Sequence, residues 1–89
     1  VVDGFIAGAA ALTAIRMRPE LKEFCVFAHA SAERGHALML QRIGAAPLLH
    51  LGMRLGEGTG AVLALPILRA AANMLNDVAS LAEVLEDAP

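Results

Sequence analysis

The stretch that most narrows the possible folds is Phe24-Cys25-Val26-Phe27-Ala28, five apolar residues rich in β-formers. It lies between a charged turn carrying Glu20, Lys22 and Glu23 and the segment His29-Ala30-Ser31. A short run without polar alternation reads as a strand buried on both faces, which needs helices to cover it. Val1 and Val2 supply the stump of an earlier strand, and Asp3-Gly4 supplies the turn that ends it and opens a helix. From Phe5 to about Met17 the residues are mostly Ala, Leu and Ile, so that helix is apolar all round and expected to be buried. Strand, helix, strand, helix is the order of a parallel sheet, with short strands near residues 1–3 and 24–28. In such sheets ligands collect at the carboxyl ends of the strands. Two segments therefore fall at a ligand crevice, Asp3-Gly4-Phe5 and His29 to Gly35.

Pro19 suits the first residue of a short helical turn. Ser31 can cap a helix over about Ala32 to Ile43, closed by Gly44, or can contact a phosphate or sugar at that helix N-terminus. Pro47-Leu48-Leu49-His50 reads as the start of a short helical segment. A long apolar helix follows from about Thr59 to Asn76, and Ser80-Leu81-Ala82-Glu83 is a capping box for a final short helix to about Leu85.

At 89 residues the chain makes at most one small domain, and 57% hydrophobic residues is high for that size. Such a chain either packs against further protein or exposes apolar patches that drive association. Lipid does not explain the excess: the longest apolar run, Ala61 to Leu68, contains Pro66 and ends at Arg69, short of the roughly 20 residues that cross a bilayer. No signal peptide is expected, because Val1-Val2-Asp3 offers no basic region before an apolar core, and without an initiator methionine the chain is expected to be a piece of something longer. Net charge is -2 and the arginines are scattered, which gives nucleic-acid binding no support. The single cysteine, Cys25, sits among Phe24, Val26 and Phe27 as a small buried hydrophobe, consistent with a reducing cytoplasm. His29, His36 and His50 lack the spacing and companions of a metal site, so no metal or cofactor is indicated. His36 and His50 read as packed or surface residues, whereas His29 follows the expected strand directly.

The chemistry concentrates in Met53-Arg54-Leu55-Gly56-Glu57-Gly58-Thr59-Gly60-Ala61, one carboxylate among three glycines. Glycine at alternate positions permits positive φ and close approach of a ligand. Thr59 can cap the helix that follows. Three readings compete. The loop could be a plain helix entry with Glu57 solvated. It could cradle phosphate, but the spacing is not GxGxxG, there is no GK[ST], and an acidic residue would repel the anion. Glu57 could also serve as a general base in a partly dehydrated pocket.

Three strings taken together go beyond generic packing: Val1-Val2-Asp3-Gly4-Phe5-Ile6 before an Ala-rich helix; His29-Ala30-Ser31-Ala32-Glu33-Arg34-Gly35-His36; and Pro47-Leu48-Leu49 running into Leu51-Gly52-Met53-Arg54-Leu55-Gly56-Glu57-Gly58-Thr59-Gly60-Ala61. In this order they resemble the C-terminal part of the nicotinate-nucleotide:dimethylbenzimidazole phosphoribosyltransferase family, over essentially the whole chain. The RLGEGTGA string is the specific one, and the other two support it. Ala28 departs from the serine common in the family before the histidine of the second string.

The resemblance implies transfer of phosphoribose from nicotinate mononucleotide to 5,6-dimethylbenzimidazole, giving α-ribazole 5′-phosphate and nicotinate in cobalamin assembly. It implies Glu57 as the catalytic base, Leu55 lining the benzimidazole site, Ser31 on the phosphoribosyl side, Gly56 and Gly58 shaping the loop, and Asp3 and Gly4 near the nucleotide. No metal is called for, since the leaving group already carries a pyridinium charge. The fold implied is α/β: residues 1–89 are the incomplete, mostly helical C-terminal portion of a single Rossmann-like phosphoribosyltransferase domain. The whole enzyme is expected to be a cytoplasmic homodimer acting on small molecules, without nucleic acid or membrane, and the piece alone to be inactive. The alternative, from a different class, is a small helical interaction or dimerisation module in which the Glu57 loop is only a connector.

Overall fold

The computed structural model describes residues 1–54 and 56–86. It contains helices α1 (Phe5–Met17), α2 (Arg34–Ile43), α3 (Thr59–Asp77) and α4 (Leu81–Glu86), with a 3₁₀ helix (Pro19–Phe24) between α1 and α2. No helix among the described residues is long and apolar enough to cross a membrane.

Three extended segments run parallel, with the one around Phe27–His29 in the centre. Val2 bridges Phe27 on one side and Leu49 bridges His29 on the other. The Val2 amide donates to Val26 O at 2.7 Å and the Ala28 amide returns to Val2 O at 2.9 Å. On the far side the Leu49 amide donates to Ala28 O at 3.0 Å, and the Ala30 amide to Leu49 O at 2.9 Å. Chain order is therefore extended segment, α1, extended segment, α2, extended segment.

The strands expected near residues 1–3 and 24–28 are reduced to these isolated bridges. Phe24 is the last residue of the 3₁₀ helix, and the Cys25 amide donates back to Lys22 O at 3.1 Å, so neither can join a ladder. Pairing begins only where that turn releases the backbone. The helical segment expected to start at Pro47 is absent for a related reason. Leu48 and Leu49 give their amides to Phe27 and Ala28 across the centre instead of to an i−4 carbonyl.

The core lies between the extended segments and two helices. Phe27, Met39, Leu40 and Ile43 are buried, with Val2, Ala11, Leu12 and Ile15 packed against them. Gly8 lets α1 approach α2: a Cβ there would collide with Met39 Cε. Only this face of α1 is covered. Ile6 is 84% exposed, so α1 is half-buried rather than enclosed.

Gly44 ends α2 in the left-handed region (φ 73°), its amide donating to the carbonyls of Gln41 and Leu40. Ser80 and Glu83 exchange hydrogen bonds at 3.2 Å in each direction, the reciprocal capping box that opens α4. In α3 only Gly60 and Ala64 are buried. Ala61 and Leu68 are half-buried, and the other apolar side chains of α3, with those of α4, are exposed. The described chain thus carries extensive exposed apolar surface.

Candidate active site

The entry to α3 is built by a residue from the opposite end of the chain. Asp3 Oδ1 accepts from the Ala61 amide at 2.8 Å, and Oδ2 accepts from the Gly58 amide at 3.2 Å. These are donors of the first turn that the helix leaves unpaired, and a carboxylate there also meets the positive end of the helix dipole. Thr59, expected to cap, does not. Its hydroxyl donates to Gly56 O at 3.0 Å and tightens the loop before the helix.

This anchoring holds Glu57 and Gly58 in consecutive left-handed conformations, φ 60° and φ 82°. For glycine that region is open; for glutamate it costs on the order of 1 kcal/mol. Glu57 is the one non-glycine residue with positive φ among those described. Its side chain makes no hydrogen bond or ion pair among the described residues, so the carboxylate stands free.

Glu57 borders a cleft of about 230 Å³ formed by the first turn of α1, the segment after the central bridge, and the glycine loop. Asp3, Gly4, Ser31, Gly56 and Glu57 all line it, so five of the seven expected site residues share one cavity. Gly58 is not among the lining residues; its amide serves the Asp3 carboxylate. Leu55 lies outside the described residues. Arg54, Glu33 and His29 line the cleft as well. His29 and Glu33 fall within the segment that strand order placed at the crevice, whereas Arg54 was legible only as part of a quoted string.

Ser31 does not cap α2. Glu33 occupies the N-cap position without a side-chain cap, and Ser31 Oγ accepts from the Glu33 amide at 3.2 Å in a tight serine turn. The Ser31 amide donates to His36 Nδ1 at 2.9 Å. His36 thus holds Ser31 at the cleft from below, and accepting at Nδ1 leaves its proton on Nε2. Burial, and secondarily the electrostatic influence of the neighbouring His29 ring, hold the His36 pKa below its ordinary value of 6.5. Phe5 stacks on His36 with ring centroids 5.9 Å apart.

His29 differs from His36. It is 1% exposed, its ring meets His36 edge-on at 6.1 Å, and neither ring nitrogen has a partner among the described residues. A buried polar group left unpaired costs about 1–3 kcal/mol. The ring presses against Gly60, where a Cβ would collide with it.

Comparison with known proteins bears on this arrangement. Residues 1–84 match the model of a family described as phosphoribosyltransferase. The chain belongs to that family. Among curated relatives, nicotinate-nucleotide--dimethylbenzimidazole phosphoribosyltransferase of Shewanella frigidimarina is 59% identical over 80 residues, covering 90% of this chain and 23% of the relative. The protein of that name from Ralstonia nicotianae is 56% identical, covering 100% of this chain and 26% of its own length. A crystal structure of CobT from Thermus thermophilus superposes with a TM-score of 0.83 at 49% identity, covering 92% of this chain and 24% of that one. The chain thus spans about a quarter of the length of the relatives it matches.

Proposed function

We propose that this chain is the C-terminal portion of an enzyme that transfers phosphoribose from nicotinate mononucleotide to 5,6-dimethylbenzimidazole, yielding α-ribazole 5′-phosphate and nicotinate for cobalamin assembly. The observation that carries the reading is the free Glu57 carboxylate, held in the left-handed region at the rim of a cleft that Asp3, Gly4 and Ser31 also line.

In the reaction one benzimidazole nitrogen attacks the anomeric carbon of the ribose. The bond from that carbon to the nicotinate ring nitrogen breaks, and its electron pair neutralises the pyridinium. Positive charge builds on the attacking ring, whose second nitrogen must give up its proton. Glu57 takes that proton as general base and stabilises the charge before it is lost. Gly56 and Gly58 set the loop so that the carboxylate meets the ring edge, with Leu55 beside the benzimidazole. Ser31, Gly4 and Asp3 face the nucleotide. Arg54 is the cleft's one arginine or lysine among the described residues and balances the anionic substrate.

The parallel bridges around Phe27–His29 are the margin of a Rossmann-like sheet whose remaining strands lie elsewhere in the enzyme. The fold is one domain, the enzyme a cytoplasmic homodimer, and these residues alone inactive. Family membership favours this reading over a helical interaction module. The test is an assay of the full-length parent protein with nicotinate mononucleotide and dimethylbenzimidazole. Stoichiometric release of nicotinate and α-ribazole 5′-phosphate supports the assignment, and failure to release nicotinate refutes it.

A further inference from the structure

We propose that His29 is a substrate-positioning residue of this cleft, one of its ring nitrogens hydrogen-bonding a ribose hydroxyl of the bound nucleotide. The inference rests on the reading of the cleft as a phosphoribosyl site.

A neutral imidazole carries one N–H and one lone pair. In His29 both are buried and neither is used among the described residues, whereas in His36, one ring away, Nδ1 is occupied by the Ser31 amide. A phenylalanine would fill the same space without burying two polar atoms. The ring is therefore kept for a partner that arrives with a ligand, and it lines the same cleft as Asp3 and Gly4.

The surroundings of the ring narrow the chemistry of that partner. Nε2 lies 3.3 Å from the position a Cβ would take on Gly4 and 2.5 Å from the corresponding position on Gly60. Asp3 Oδ1 lies 3.0 Å from that same Gly60 position. The nitrogen and the carboxylate oxygen are thus neighbours on one wall of the cleft. Each Asp3 oxygen accepts one amide and keeps a second lone pair. A hydroxyl suits this pair, since it can donate its proton to Asp3 while accepting from the His29 N–H. A phosphate oxygen has no proton to give and would meet the Asp3 charge, so the wall selects a sugar hydroxyl over an anionic oxygen.

The test uses the full-length parent enzyme, wild type and His29→Phe, with nicotinate mononucleotide and its analogues lacking one ribose hydroxyl. Loss of one hydrogen bond raises KM for nicotinate mononucleotide about tenfold in His29→Phe, with KM for dimethylbenzimidazole unchanged. The analogue missing the contacted hydroxyl is weakened similarly in wild type and no further in the variant, a non-additivity that a merely structural role would not produce. Unchanged KM in His29→Phe, or equal losses on every analogue, overturns the inference. Should the variant not fold, the histidine ring ¹⁵N signals of wild type titrated with nicotinate mononucleotide decide: a shift of a His29 nitrogen supports the contact, and no shift overturns it. A wild type that neither binds nicotinate mononucleotide nor releases nicotinate removes the phosphoribosyl reading and this inference with it. An active wild type beside an unaffected variant removes the inference alone.

Discussion

Asp3 and Ala61, 58 residues apart in the chain, are joined by a 2.8 Å hydrogen bond from the Ala61 amide to Oδ1. The carboxylate thereby caps a helix to which it does not belong, and the loop carrying Glu57 is fastened to the turn that starts α1.

Removing that cap should loosen the whole entry to α3. Asp3→Ala in the full-length protein is expected to lower stability by about 1–2 kcal/mol, the cost of losing an N-cap acceptor together with a dipole partner. Urea unfolding measures it through the midpoint. Asp3→Asn keeps an acceptor and should lose less.

Gly60 faces the His29 ring so closely that a Cβ collides with it. Because the ring is 1% exposed and packed on His36, it has no easy retreat. Gly60→Ala is expected to destabilise by about 1–3 kcal/mol despite the better helix propensity of alanine. A thermal melt of the variant that matches or exceeds wild type would contradict the packing described.

Glu57 holds a left-handed φ of 60° that glycine takes without strain. Glu57→Gly is therefore expected to leave stability unchanged or raise it, by up to about 1 kcal/mol, while abolishing turnover. Denaturation and nicotinate release measured on the same preparation separate the two effects.

His36 adds a pH dependence whose direction follows from its environment. Its pKa in the folded protein lies below the 6.5 of the unfolded chain, so the unfolded state binds the proton more readily. Stability from this residue is complete above pH 6.5 and falls as the pH drops below that value, until the folded-state pKa is also passed. Protonation at Nδ1 also removes the acceptor for the Ser31 amide. Unfolding midpoints for wild type should decline between neutral and mildly acidic pH, with a smaller decline in His36→Gln.

What could be read from the chain ahead of its structure divides by range. Gly44, the Ser80–Glu83 box and Pro19 act within a few residues of themselves, and each does what its local chemistry dictates. The convergence of Asp3, Gly4, Ser31, Gly56 and Glu57 on one cleft was legible through the order of the strings that carry them. Thr59 was misread as a helix cap, and of the two roles open to Ser31 the capping one fails, because the competing partners lie elsewhere in the chain or across a turn. Asp3 reaches α3 from the other end of the chain, and Ser31 Oγ is taken by the Glu33 amide before the helix begins. Leu49 likewise looked helical beside Pro47 until the central segment offered it a carbonyl. The unpartnered state of His29 is a property of three-dimensional surroundings that no spacing records.

The most direct measurement is turnover of the full-length enzyme, wild type against Glu57→Gln, with nicotinate mononucleotide and dimethylbenzimidazole saturating. The amide keeps the size of the side chain and its hydrogen-bonding oxygen but cannot take the proton. A general base contributes about 10²–10⁴-fold to such a step. If Glu57 is the base, kcat falls by at least 100-fold while nucleotide binding and the melting temperature stay near wild type. A variant that releases nicotinate at the wild-type rate would contradict that role and leave the glycine loop a helix entry.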